Sequence, residues 1–169
     1  MTAPLILTLT LAPADQERFE ALRRAHFPPE HNVISAHVTL FHHLPGLDRE
    51  AIEHLLSLAA GHHAPFGVEV RGLRSLGRGV AFELHSAELS KLRAGLAGAW
   101  HDALTAQDRQ GFRPHVTIQN KVTPEAARSL LAQMQAVFAP FRIGATGLSL
   151  WRYLGGPWEA VGAYPFQSS

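Results

Sequence analysis

The tripeptide His-Val-Thr occurs twice in the 169-residue chain, at 37–39 within "AHVTLFHHL" and at 115–117 within "PHVTIQNKV". Side chains alternate along a strand, so His37 and Thr39 share one face while Val38 and Leu40 take the other; His115 and Thr117 are set apart from Val116 and Ile118 in the same way. An imidazole titrates near pH 6.5, so one histidine can be neutral and its partner charged near neutrality, the condition for concerted general base and general acid work. Two nearby hydroxyls can donate to the non-bridging oxygens of a phosphate without a metal. The set suits the opening of a cyclic phosphodiester: His37 and His115 move protons, and Thr39 and Thr117 hold phosphate. One His-x-Thr among eleven histidines is unremarkable; two identical copies on matching strands point to a site.

The same alternation extends the polar face to Phe41 and His43 in the first strand and to Gln119 and Lys121 in the second. Phe41 is suited to stacking on a base or to the core. Lys121 can attract phosphate as a point charge or stand as a surface lysine. Arg113, two residues before His115, is placed to touch phosphate or to serve a stabilising pair. Trp151, Tyr153 and Trp158 form an aromatic hairpin able to stack on a base or on itself. His42-His43 and His62-His63 lack a cysteine or carboxylate at ligand spacing, so no metal is expected.

These residues need elements to position them. "LILTLTL" at 5–11 reads as a strand, and the segment after it spaces Phe19, Leu22 and His26 on one helical face. A strand at 36–44 follows, then Asp48 as N-cap of a helix carrying Ile52, Leu55, Leu56 and Ala59, then a strand at 66–73. The order repeats: a strand at 79–85, Ser86 capping a helix with Leu89, Leu92, Leu96 and Trp100, the second His-Val-Thr strand, Thr123 and Pro124 opening a helix to Phe138, and a strand from Phe141. His115 follows His37 by 115 − 37 = 78 positions, which marks a structural duplication. The expected fold is α+β in one domain over 1–169, with lobes of roughly 1–75 and 76–169 related by a pseudo-two-fold. Antiparallel sheets line a central cleft with helices outside, and "RSLGRG" at 74–79 is the crossover.

Composition narrows the partners. Apolar residues make up 46% and charged residues 17% of the chain, a globular balance. Fifteen Lys and Arg against fourteen Asp and Glu give +1, too even for a protein that grips long nucleic acid by counterion release. There is no cysteine, which removes disulfide and thiolate chemistry and is compatible with a reducing cytoplasm. The first apolar run is short and interrupted by threonine, a strand rather than a membrane span or leader. A cytoplasmic monomer without membrane contact is expected.

At this point "HVTLFHHLPG" and "FRPHVTIQNKV" resemble the two signature strands of the two-histidine (2H) phosphoesterases, and within them the 2′-5′ RNA ligase or RNA 2′,3′-cyclic phosphodiesterase family. The central "VEVRGLRSLGRGVAFELH" and the closing "LSLWRYLGGPWEAVGAYPF" are similar as well. The resemblance implies a bilobal fold, metal- and cofactor-independent hydrolysis of a 2′,3′-cyclic phosphate to a 2′-phosphate, RNA ends or cyclic nucleotides as partners, and possible 2′-5′ joining of RNA by the reverse reaction. The strands alone leave acid and base interchangeable; the resemblance favours His115 as the base. Many relatives carry an arginine five positions after the second histidine, where this chain has Asn120. A non-catalytic module binding nucleotides or RNA ends on the same fold is the alternative.

Overall fold

The computed structural model describes residues 2–167, so the ends of the expected 1–169 domain lie outside it. Seven antiparallel strands form one sheet: β1 (Leu5–Leu11), β2 (Val38–Leu44), β3 (Phe66–Ser75), β4 (Val80–His85), β5 (His115–Gln119), β6 (Phe141–Tyr153) and β7 (Trp158–Pro165). Among the described residues five α-helices accompany them: α1 (Pro13–His26), α2 (Arg49–Gly61), α3 (Ala87–Ala99), α4 (Ala106–Arg109) and α5 (Pro124–Val137). This is the expected α+β class. No helix among the described residues is long and apolar enough to cross a membrane.

The strand order is β2-β1-β6-β3-β4-β5, with β7 added beside β6. It maps onto itself when β1, β2 and β3 are exchanged with β4, β5 and β6, so the duplication inferred from the sequence is built into the sheet. The two halves exchange strands. The closing strand of each half crosses over: β3 pairs with β4 of the second half, and β6 pairs with β1 of the first. Where β3 and β6 meet, antiparallel from Phe66↔Ala145 to Val70↔Phe141, the halves are joined. The segment "RSLGRG" at 74–79 closes the β3–β4 hairpin, with Leu76 N–H donating to Gly79 O over 2.8 Å.

Two of the expected caps form. Ser86 Oγ and Thr123 Oγ1 each accept from the backbone N–H three residues on, at 3.1 Å, so α3 and α5 start where those side chains satisfy an orphan donor. Asp48 instead ends a one-turn 3-10 helix, and its side chain caps nothing. α1 has no capping side chain; it begins with Pro13, whose missing N–H leaves one orphan fewer. The core unites both halves: Leu7, Leu9, Phe19, Phe41 and Leu56 of the first with Val80, Leu89, Val116, Ile118 and Leu148 of the second.

The outer strands β2 and β5 carry the paired motifs and are brought together. Each breaks its alternation at the same place. In β2 the register slips between Thr39, opposite Thr8, and Phe41, opposite Leu7. In β5 it slips between Thr117, opposite Ala81, and Gln119, opposite Val80. The extra residues, Leu40 and Ile118, both point into the core, and a one-residue bulge reverses the facing of everything beyond it.

Buried arginines tie each half to the other's motif strand. Arg23 of α1 donates through Nη1 to Thr117 O at 2.9 Å. Arg93 of α3 donates through Nε to Leu40 O at 3.1 Å and through Nη2 to Asp108 O at 2.6 Å, with its guanidinium over the Phe41 ring. Both are nearly inaccessible, and their bonds go to the carbonyls at the bulges.

Candidate active site

His37 directly precedes β2 and His115 opens β5, and they are held alike. His37 Nδ1 lies 2.7 Å from Ser35 O, and His115 Nδ1 lies 3.1 Å from Arg113 O. A carbonyl only accepts, so Nδ1 carries the proton in each ring and Nε2 is the nitrogen left to take or give a proton. Both imidazoles titrate below the usual histidine value. For His37 the causes are burial first, against the helpful Ser35 carbonyl, then the positive charges of Arg23, His115 and His42. For His115 they are burial, opposed by the Arg113 carbonyl, then Arg74, His42 and Arg113. The charge of one ring disfavours charge on the other, so the pair holds a single proton more readily than two.

Thr39 and Thr117 are both half-buried, each between two buried residues of its strand. Among the described residues neither hydroxyl hydrogen-bonds to the protein, so both can serve a ligand. Behind Thr39 the row across the sheet is Thr8 and Ser149; behind Thr117 it is Ala81 and Arg74. The two walls thus differ in chemistry though not in topology.

Beside His37 is a cavity of about 450 Å³ lined by Thr8, Thr10, Ser35, Ser149, Trp151 and Trp158. The Trp158 ring sits 4.7 Å from the His37 ring, Trp151 lies 6.1 Å from Trp158, and Trp151 Nε1–H donates to Thr8 Oγ1 at 2.9 Å. Near His115, at the corresponding corner of the other half, is a cavity of about 210 Å³ lined by Arg74, Glu83, His85, Ser86, Phe112 and Arg113. Arg74 Nε is buried there without a hydrogen-bond partner. One flank is aromatic and hydroxylic, the other cationic.

Among the described residues no group of three or more His, Cys, Asp or Glu side chains is arranged to hold a metal ion. His63 packs against the stacked Phe66–Phe166 pair, 5.1 Å from each ring.

A model of the 2′-5′ RNA ligase superfamily matches residues 11–157. The chain belongs to that superfamily. Solved structures agree on the fold. A protein of Thermus thermophilus is 16% identical, with 98% of this chain and 99% of that one covered at a TM-score of 0.69. A protein described as a phosphoesterase is 19% identical, with 99% and 100% covered at 0.64. LigT of E. coli, complexed with 3′-AMP, is 20% identical, with 99% and 100% covered at 0.60. A search of curated proteins found no match. The 2H resemblance carried by the two motif strands thus holds.

Within this superfamily member the expected flanking residues fare unevenly. Phe41 is fully buried, in edge contact with Trp100 at 5.2 Å and beneath Arg93, so it presents no face for stacking. Gln119 is buried as well. Simple alternation would carry both outward, but the bulges at Leu40 and Ile118 turn both side chains inward. Lys121 lies past the end of β5 in an exposed turn, its φ of 63° in the left-handed region, so strand parity does not place it. His43 is exposed. Arg113 lines the cationic cavity and supplies the carbonyl that holds His115. The sequence reading did not find Arg23, Arg74, Arg93 or Asp108. Arg23 carries a signal in retrospect, since it falls with Phe19 and Leu22 toward the buried side of α1. Asp108 carries none, being on a four-residue helix in a segment without periodicity.

Proposed function

We propose that this protein hydrolyses 2′,3′-cyclic phosphodiesters, at RNA ends or on nucleotides, to 2′-phosphates by metal-independent acid/base catalysis. One observation carries the reading. Each motif histidine is held through Nδ1 by the carbonyl two residues before it, which leaves Nε2 of both for a shared reacting group. A water attacks phosphorus and gives its proton to His115 Nε2. The P–O3′ bond breaks, the O3′ oxygen takes a proton from His37 Nε2, and the phosphate remains on O2′. Thr39 and Thr117 donate to the non-bridging oxygens as charge gathers there. The assignment of His115 as base and His37 as acid follows the family resemblance, and Trp158, 4.7 Å from the His37 ring, walls that side of the cleft.

The flanks suit a nucleotide. A base fits the Trp151–Trp158 side, and phosphates further along a chain suit Arg74 and Arg113. In E. coli LigT the bound ligand is 3′-AMP, a nucleotide of the same class. One chain supplies both histidines, so a monomer suffices. With a 5′-hydroxyl in place of the water, the same proton transfers would open the cyclic phosphate into a 2′-5′ phosphodiester, O3′ again being the leaving group.

The test is hydrolysis of 2′,3′-cyclic nucleotides and cyclic-phosphate-ended RNA in EDTA. His37→Ala and His115→Ala are each expected to lose roughly 10²–10⁴-fold in kcat, with a 2′-phosphate product from the wild type. Unchanged rates in both variants would sink the mechanism. The Trp-lined cavity also suits a binding module, which would show tight binding of 2′-AMP with no turnover by the wild type.

A further inference from the structure

Asp108 is completely buried, yet its carboxylate stands against the outer edge of β2. The backbone N–H of His42 donates to Oδ1 at 2.8 Å and that of His43 to Oδ2 at 2.9 Å. A regular strand turns successive N–H groups to opposite sides. β2 escapes this by a second bulge: Leu44 faces Leu5 and Phe41 faces Leu7, so His42 and His43 together oppose Ile6. The two donors, with Arg93 fixing the backbone of Asp108 from behind, satisfy a carboxylate that would otherwise be costly to bury.

The His42 side chain adds a third contact, Nδ1 lying 3.2 Å from Asp108 Oδ1. The anchor does not need it, because any residue at position 42 would present the same N–H. Nor does His42 fill the core; 46% of its side chain is exposed. Opposite Ile6, two residues along β1 from Thr8, it lies on the same side of the sheet as Thr39. With Nδ1 turned to the carboxylate, Nε2 is on the outer edge of the ring. The charge of His42 is among the influences that lower both His37 and His115, after burial and the charge of Arg23 for the first and of Arg74 for the second.

We propose that His42 is a third histidine of the site, contacting the anionic oxygens of the bound phosphate through Nε2 while Asp108 holds Nδ1. In its imidazolium form the ring donates from both nitrogens, one to the carboxylate and one to the substrate. The proposal rests on the reading of the cleft as a phosphodiester site, and its ligand class is a phosphate monoester or diester oxygen.

The experiment uses the full chain with 2′-AMP and inorganic phosphate as probes. In the wild type, the His42 Nε2 nitrogen-15 signal is expected to move on titration with either probe, while Nδ1 stays with Asp108. His42→Gln is expected to weaken 2′-AMP binding roughly 10-fold, the usual order for one charge-assisted hydrogen bond. It should lower kcat/KM for 2′,3′-cyclic AMP at least as much, with an unchanged melting temperature. An immobile Nε2 signal, or wild-type affinity in His42→Gln, would overturn the proposal. Absence of wild-type turnover would instead overturn the hydrolase reading, and the nitrogen shift and the 2′-AMP affinity would still decide His42.

Discussion

At the scale of single residues, the two motif histidines are set for chemistry by what opposes their charge. Burial and positive neighbours hold both below the ordinary value of 6.5. The free enzyme's kcat/KM against pH is therefore expected to be a bell centred on the acid side of 6.5, since kcat/KM reports the ionisations of the unliganded protein. A profile centred above 7 in cyclic-nucleotide hydrolysis would show that the electrostatic description is wrong. Stability follows with a definite sign. Below the ordinary histidine value the unfolded chain binds protons that folded His37 and His115 resist, so stability rises with pH through that window and falls as pH drops through it. Urea midpoints from pH 5 to 7 would read this directly, with the slope reduced in His37→Ala.

Phe41 illustrates a residue whose type suggested function and whose position serves packing. Its ring fills the space between Trp100 and Arg93 with no exposure. Phe41→Ala is expected to cost about 3–5 kcal/mol, measured as a lower urea midpoint. Trp158→Ala, half-exposed beside His37, should instead raise KM for a cyclic nucleotide with little loss of stability.

At the scale of elements, the paired bulges after Thr39 and Thr117 shape the candidate site. Each ends the cleft-facing run at the threonine and returns the strand to the core. The elements around them are adjusted to hold them. Gly79 shows how closely: a Cβ there would stand 1.9 Å from Gln119 O and 2.7 Å from Asn120 Cα, both backbone atoms that cannot step aside. Gly79→Ala is expected to push β4 away from the end of β5, lowering both thermal stability and activity. Arg93→Met keeps the apolar stem but strands the carbonyls of Leu40 and Asp108 and removes the charge over Phe41. A loss of about 3 kcal/mol or more is expected from unfolding curves, since donors to buried groups are being deleted. The reciprocal bonds from Arg23 to Thr117 O and from Arg93 to Leu40 O mean that each half's motif is steadied by the other half's helix.

At the scale of the whole molecule, the exchange of β3 and β6 makes the halves inseparable. A fragment of residues 1–75 would leave β3 without β4 and β1 without β6, baring a sheet edge and much of the shared core. It is expected to show no cooperative unfolding and no dispersed amide spectrum, alone or in buffer with nucleotide. A folded fragment would mean that the exchange of strands is not what binds the molecule together. The same arrangement explains why one pseudo-symmetric scaffold carries an asymmetric cleft. Residues on equivalent rows, Ser149 and Arg74, sit on exchanged strands and are free to differ.

The sequence by itself determined the α+β class, the repeated order of elements, the caps at Ser86 and Thr123, and the alternation that sets Thr39 and Thr117 apart from their buried neighbours. These depend on local periodicity and on two short strands whose alternation holds for three residues. Beyond those three residues, tertiary structure decided. Whether Phe41 and Gln119 face the cleft or the core depends on a register slip against β1 and β4, which pairing between distant segments sets and no local pattern records. The partner of His42 is Asp108, 66 positions away, and the exchange of β3 and β6 depends on which edges meet in the folded sheet. Alternation is a property of one strand, whereas register, burial and ion pairing are properties of the contacts between strands.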